Sequence, residues 1–107
     1  MLVSFSIGRA VIEDIAIRRF EDVSKDERLG ALRIDASLHR STLIIYDNGR
    51  GVVIGQSSRR IAEMAVRHWV AQLDGEGALA GENAGKWHLD RANNGSTYPF
   101  RSEQQVP

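Results

Sequence analysis

Proton transfer needs an acid and a base within hydrogen-bond reach, and this chain offers three histidines for the work: His39, His68 and His88. Carboxylates stand near two of them in sequence, Asp35 and Asp47 around His39 and Asp90 beside His88. Asp35, His39 and His88 are therefore the candidate catalytic residues. No two histidines are four positions apart, so a helix cannot present a His-x-x-x-His metal pair. The absence of cysteine excludes thiolate zinc sites, disulfides and a Cys nucleophile. A serine nucleophile would lack its elbow, since Gly-x-Ser-x-Gly does not occur, and no Walker-type phosphate loop is present. Gly75-x-Gly77 follows no strand and makes no dinucleotide site. Neither a cofactor nor a metal is expected.

Recognition chemistry is better represented. All the basic residues except Lys25 and Lys86 are arginines, whose planar fork suits phosphates and carboxylates. Arg50, Arg59 and Arg60, together with Tyr46, Trp87, Tyr98 and Phe100, form the candidate binding set. On an exposed antiparallel sheet such residues can stack and neutralise single-stranded nucleic acid. The charge balance opposes that use: 14 basic and 14 acidic residues give a formal net charge of +0. Asp35, Asp47, Glu63 and Asp90 are interleaved with the arginines, and a surface of this kind suits a protein partner better than a polyanion.

Asp47-Asn48-Gly49-Arg50-Gly51 resembles the Asp-x-Gly-x-Gly box of the histidine-kinase and gyrase type ATPase domains, in which the aspartate meets adenine. The resemblance covers these five residues alone. That family also holds magnesium on an asparagine-bearing helix upstream, and no asparagine precedes Asn48 here. A hairpin turn accounts for the same residues.

The elements that would position these groups follow from periodicity. Leu32, Ile34, Ala36 and Leu38 alternate with polar residues, the mark of a half-buried strand. Thr42–Tyr46 and Gly51–Gly55 are β-branched runs on either side of Asn48-Gly49, which predicts a hairpin with a type I′ turn. That turn sets Asp47 beside Arg50, Ile45 beside Val52 and Leu43 beside Ile54. From Ser57 or Ser58, either able to cap, the period becomes helical. Ile61, Ala62, Ala65, Val66, Trp69, Val70 and Leu73 share one face of an amphipathic helix over 57–74, which Gly75 and Gly77 end. Residues 75–85 read as a flexible linker or lid, and a small-ligand pocket or small enzyme site beneath it is a third functional possibility. A second hairpin is expected at Asn94-Gly95, with Trp87, Leu89, Tyr98 and Phe100 on one face. Near the start, Val3, Phe5 and Ile7 predict a strand, with a turn at Gly8-Arg9. Residues 10–23 fit both a strand and a helix, and the strand reading is preferred. Ser24-Lys25-Asp26-Glu27 has the form of a capping box but soon meets Gly30, so at most one helical turn follows it.

The expectation is an α+β fold: an antiparallel sheet of five to seven strands with one main helix packed on it, forming one domain over 1–101 and a tail over 102–107. Leu43, Ile44 and Ile45 are consecutive, as are Val52, Val53 and Ile54, so this ribbon is apolar on both sides. The helix covers one side. The other must be covered by the 86–101 hairpin, by residues 10–23 if helical, or by a second copy burying about 800 Å² per subunit. A cytoplasmic, non-enzymatic protein-binding or adaptor domain that forms a homodimer through its apolar sheet face is the leading expectation. A single-stranded nucleic-acid binder is the alternative. The longest apolar run, Leu43–Tyr46, is far shorter than the roughly 20 residues of a membrane span, and Met1–Ile7 lacks the pattern of a signal peptide.

Overall fold

The period-two stretches become strands. In the computed structural model, which describes residues 2–55, 58–81 and 86–91, strands β1 (Leu2–Ser6), β2 (Val23–Asp26), β3 (Ala31–Ala36), β4 (Ser41–Ile45), β5 (Arg50–Ile54) and β6 (His88–Leu89) form one sheet. All pairings are antiparallel, in the order β2-β3-β4-β5-β1-β6. Helices α1 (Glu13–Arg19) and α2 (Arg59–Gly75) complete the expected α+β architecture. The hairpin expected at Asn94-Gly95, with Tyr98 and Phe100, and the 102–107 tail lie outside the described residues.

The Asn48-Gly49 turn is one residue longer than the type I′ form. Ile45 pairs with Gly51, Tyr46 donates its N–H to the Arg50 carbonyl at 2.8 Å, and Gly49 donates to the Tyr46 carbonyl at 2.9 Å. A type I′ turn needs positive φ at two residues, and here only Gly49 has it, at 93°. Asn48 instead accepts the Arg50 N–H on its Oδ1 at 2.9 Å. The register therefore moves by one: Val52 faces Ile44 rather than Ile45, and Ile54 faces Thr42 rather than Leu43. Gly51 has its own reason to be glycine. A Cβ there would press into the Ile44 carbonyl oxygen and stand 2.7 Å from Cζ of Phe5, whose ring fills the space.

α2 packs as its periodicity predicts, with Ala62, Ala65, Val66, Trp69 and Leu73 buried. Its N-cap is Ser58, whose hydroxyl accepts the Ile61 N–H at 3.1 Å. The buried faces of α1 and α2 share one core with Val3, Phe5, Val23, Leu32, Ile34, Leu43, Ile45 and Val53. Both helices thus lie on the same side of the sheet, and Phe20 meets Trp69 edge-on at 5.3 Å.

Three local expectations are corrected. Residues 13–19 are helical, not extended: Glu13 and Asp14 open the helix, Arg18 and Arg19 close it, and these charges oppose the macrodipole ends. Ala16 is buried, while Ile17, on the wrong side for a helix, remains exposed. The alternation of β3 stops at Ala36, where Ser37–His39 form a short 3-10 turn and leave Leu38 exposed. The single turn expected after Ser24–Glu27 is present, with the Gly30 N–H on the Asp26 carbonyl at 2.9 Å and the Asp26 carboxylate accepting the N–H groups of Arg28 and Leu29. Of the linker or lid expected over 75–85, residues 82–85 lie outside the described residues and 75–81 are packed down rather than free. Ala78 and Leu79 are buried, Leu79 bridges to Val11, and the Ala78 N–H returns to the Leu73 carbonyl at 2.8 Å. Arg9 clasps the segment from below. Its guanidinium donates to Asp74 at 2.8 Å and to the carbonyls of Leu79, Ala80 and Gly81, and its side chain is only 9% exposed.

Candidate functional site

With both helices on one side, the alternate residues of every strand are left on the other. The register arranges them in rows. One row runs Asp35, Thr42, Ile54, Leu2, and the next runs Arg33, Ile44, Val52, Ser4. Tyr46, Arg50 and Ser6 follow beyond. Ile44, at the centre, is buried yet belongs to no part of the helix-side core. Val52 beside it is half-buried. Around them Leu2, Ile54 and Tyr46 stand 52%, 41% and 40% exposed. The expected covers lie elsewhere: α1 joins α2 on the opposite side, and β6 extends the sheet at its edge beside β1. Among the described residues no element lies over this apolar strip.

Charged groups border the strip. At the β6 edge Asp90 accepts from the Ser4 hydroxyl at 2.6 Å and from the Arg50 guanidinium at 2.9 Å, and His88 Nε2 stands 3.7 Å away. Partial burial works to raise this carboxyl, but the Ser4 hydrogen bond and the Arg50 charge outweigh it and hold Asp90 below the ordinary carboxylate range. Arg59 reaches the Asp90 carbonyl from the helix side. Toward the β2 edge, on β3, Arg33 and Asp35 are both exposed, and neither side chain finds a partner among the described residues.

The residues singled out by sequence are thus divided between two sides. Tyr46 and Arg50 lie together on the helix-free face. Arg59, Trp87 and His88 line a cavity of about 750 Å³ between α2 and residues 86–89, in which the Arg67 guanidinium lies 5.8 Å over the Trp87 ring. Arg60 lines a neighbouring groove with His39 and His68, whose rings are 5.8 Å apart. The acid–base candidates are not assembled: Asp35 is on the sheet face, His39 packs against α2, and His88 is on the edge strand. Among the described residues no group of three or more His, Asp or Glu could hold a metal ion, and no helix is long and apolar enough to cross a membrane. Sequence reasoning placed Arg33 with the sheet but missed Ser4, whose signal was the polar half of the same alternation that marked Val3 and Phe5 as core.

No protein-family model matches the chain, and no curated protein matches it. Among solved structures, the fold is similar to that of Methanococcus jannaschii TBP, with a TM-score of 0.65 and 22% sequence identity. The match covers 82% of this chain and 49% of that one, so this chain spans about half the length of that structure. The likeness is one of fold.

Proposed function

We propose that this chain is a non-enzymatic protein-binding domain that works through the helix-free face of its sheet. The observation that carries this reading is the strip of Leu2, Ile54, Val52, Ile44 and Tyr46, formed on a face that neither helix covers. Burial of apolar area is the main non-directional drive to protein association, and an apolar centre within a charged border is the anatomy of a recognition patch. The charges described on this face are no more basic than acidic, Arg33 and Arg50 against Asp26, Asp35 and Asp90, so a polyanion gains no net attraction there. Tyr46 is the single aromatic among the described residues of the face, and Trp87 is engaged by Arg67 on the other side.

A photo-crosslinking phenylalanine derivative at Ile54, compared with the same group at Gln72 on the exposed side of α2, tests the reading in cell extract. Position 54 is expected to couple to polypeptide and position 72 to give background. Coupling at 54 to nucleic acid, or to polypeptide no more than at 72, refutes it.

A further inference from the structure

The face carries a charge pattern that selects its occupant. Arg33 and Asp35 are neighbours on one side of β3, each exposed and each without a partner among the described residues. The other acids and bases of the face are engaged: Arg50 and Asp90 are joined to each other, and the Asp26 carboxylate accepts the N–H groups of Arg28 and Leu29. A partner that covers the apolar strip also approaches Arg33 and Asp35, and must bring an acid for one and a base for the other, because a charge buried without a partner is costly. A second copy of this chain brings both by construction.

We infer, resting on the protein-binding reading above, that the partner is a second copy, docked face to face about a two-fold axis that crosses the strands midway between the two rows. Isologous contact requires that if residue i meets j, then j meets i. This axis sends each row onto the other. Arg33 meets Asp35 of the partner subunit and Asp35 meets Arg33 of the partner subunit, giving two charge pairs. Val52 and Ile54 meet across the centre, as do Ile44 and Thr42, and Ser4 meets Leu2. Sheets stacked in this way lie about 10 Å apart with strands within about 30° of alignment, a gap that long side chains cross. Rival axes fail on charge. An axis parallel to the strands between β4 and β5 sets Asp35 on Leu2, and one along β4 sets Arg33 on Val52; each buries an unpaired charge on an aliphatic side chain. The net charge of +0 leaves no overall repulsion between copies.

Charge reversal decides the matter, since both residues are exposed and neither supports the core. Sedimentation over a concentration series is expected to show wild-type dimers of two 11.9 kDa chains. Arg33→Asp alone and Asp35→Arg alone are each expected to weaken association at least about tenfold, because each sets like charges together twice. Mixing the two single variants restores a heterodimer, visible by native mass spectrometry, and the double variant R33D/D35R associates with itself. The neutral variants Arg33→Gln and Asp35→Asn weaken association singly, and mixing them recovers it in part, because the mixed dimer keeps one of the two charge pairs and sets the two neutral side chains against each other at the other. If the single variants associate as the wild type does, or the mixture gains nothing, this two-fold arrangement is overturned. A wild type that stays monomeric while Ile54 couples to a different polypeptide removes the second copy and leaves the protein-binding reading standing. Absence of any polypeptide coupling at Ile54 removes both.

Discussion

Gly51→Ala tests the register on which every other placement depends. The added methyl meets two neighbours that differ in how far they can yield. Cζ of Phe5, at 2.7 Å, ends a side chain, but the Ile44 carbonyl oxygen belongs to the ladder of β4 and cannot retreat without loosening it. Overpacking in a core costs roughly 1–3 kcal/mol, and a backbone obstacle places this case near the upper end, about 3 kcal/mol. At about 4–8 °C per kcal/mol for a domain of this size, the thermal midpoint falls by roughly 12–24 °C. Circular dichroism during heating and during urea unfolding gives both numbers. Adding Phe5→Leu removes the ring but not the carbonyl, so recovery is expected to be partial. Gly75→Ala is the control: nothing lies within 4 Å of its Cβ position, and helix propensity favours alanine by up to about 1 kcal/mol. A Gly51→Ala midpoint within roughly 2 °C of the wild type would mean that Phe5 does not lie over Gly51.

Adjacent residues of β5 should respond in opposite ways to the same charge. Val53→Asp, on the core side, is expected to lose about 3–5 kcal/mol or fail to fold, whereas Ile54→Asp keeps the wild-type circular dichroism spectrum and loses only association; equal behaviour of the two contradicts the assignment of faces. Arg9→Leu leaves Asp74 and three carbonyls without their shared donor, and urea unfolding should show a loss of about 2–4 kcal/mol; a loss below about 0.5 kcal/mol would show that residues 75–81 hold without it. Because the Asp90 carboxyl is depressed in the folded chain, its contribution is complete above the unfolded aspartate value of about 3.9 and is lost as pH falls below it. Acidification through that window should therefore free the β6 edge first, read as a change in Trp87 fluorescence in a Trp69→Phe background. The Asp90→Asn variant should lack that step, and an unchanged step in it rules Asp90 out as its source.

What was legible in the sequence was whatever a single element could state about itself. The buried stripe of α2 and the alternation of β3 as far as Ala36 follow from side-chain direction, and both are found where the pattern placed them. The hairpin was legible as a hairpin, but not in its register, because Asn48-Gly49 serves a two-residue loop as well as a three-residue one and the choice lies in which residues take positive φ. α1 was ambiguous for a related reason. Its apolar residues satisfy both periods, and what selects the helix is contact with distant chain: the Ile12 N–H bonds to the Ala78 carbonyl, and Phe20 finds Trp69. Arg9 gave no signal at all, since its partners lie more than sixty positions away. For the candidate site, the doubly apolar ribbon at Leu43–Ile45 and Val52–Ile54 announced that a second face existed. Which charges border that face could be known only once six strands were in order.

The place of β1 between β5 and β6 has a consequence for biogenesis. Strands β2 to β5 form a meander in which each pairs with its successor, so they can assemble from contacts between near neighbours along the chain. β1 leaves the ribosome before any of them, yet its first partner is complete only at Ile54. Until then Val3 and Phe5 have no seat, and a strand with large apolar side chains waits unpaired ahead of the meander. The earliest of these strands to be made is thus fitted after the meander, and a chaperone that shelters it would act before β5 is complete.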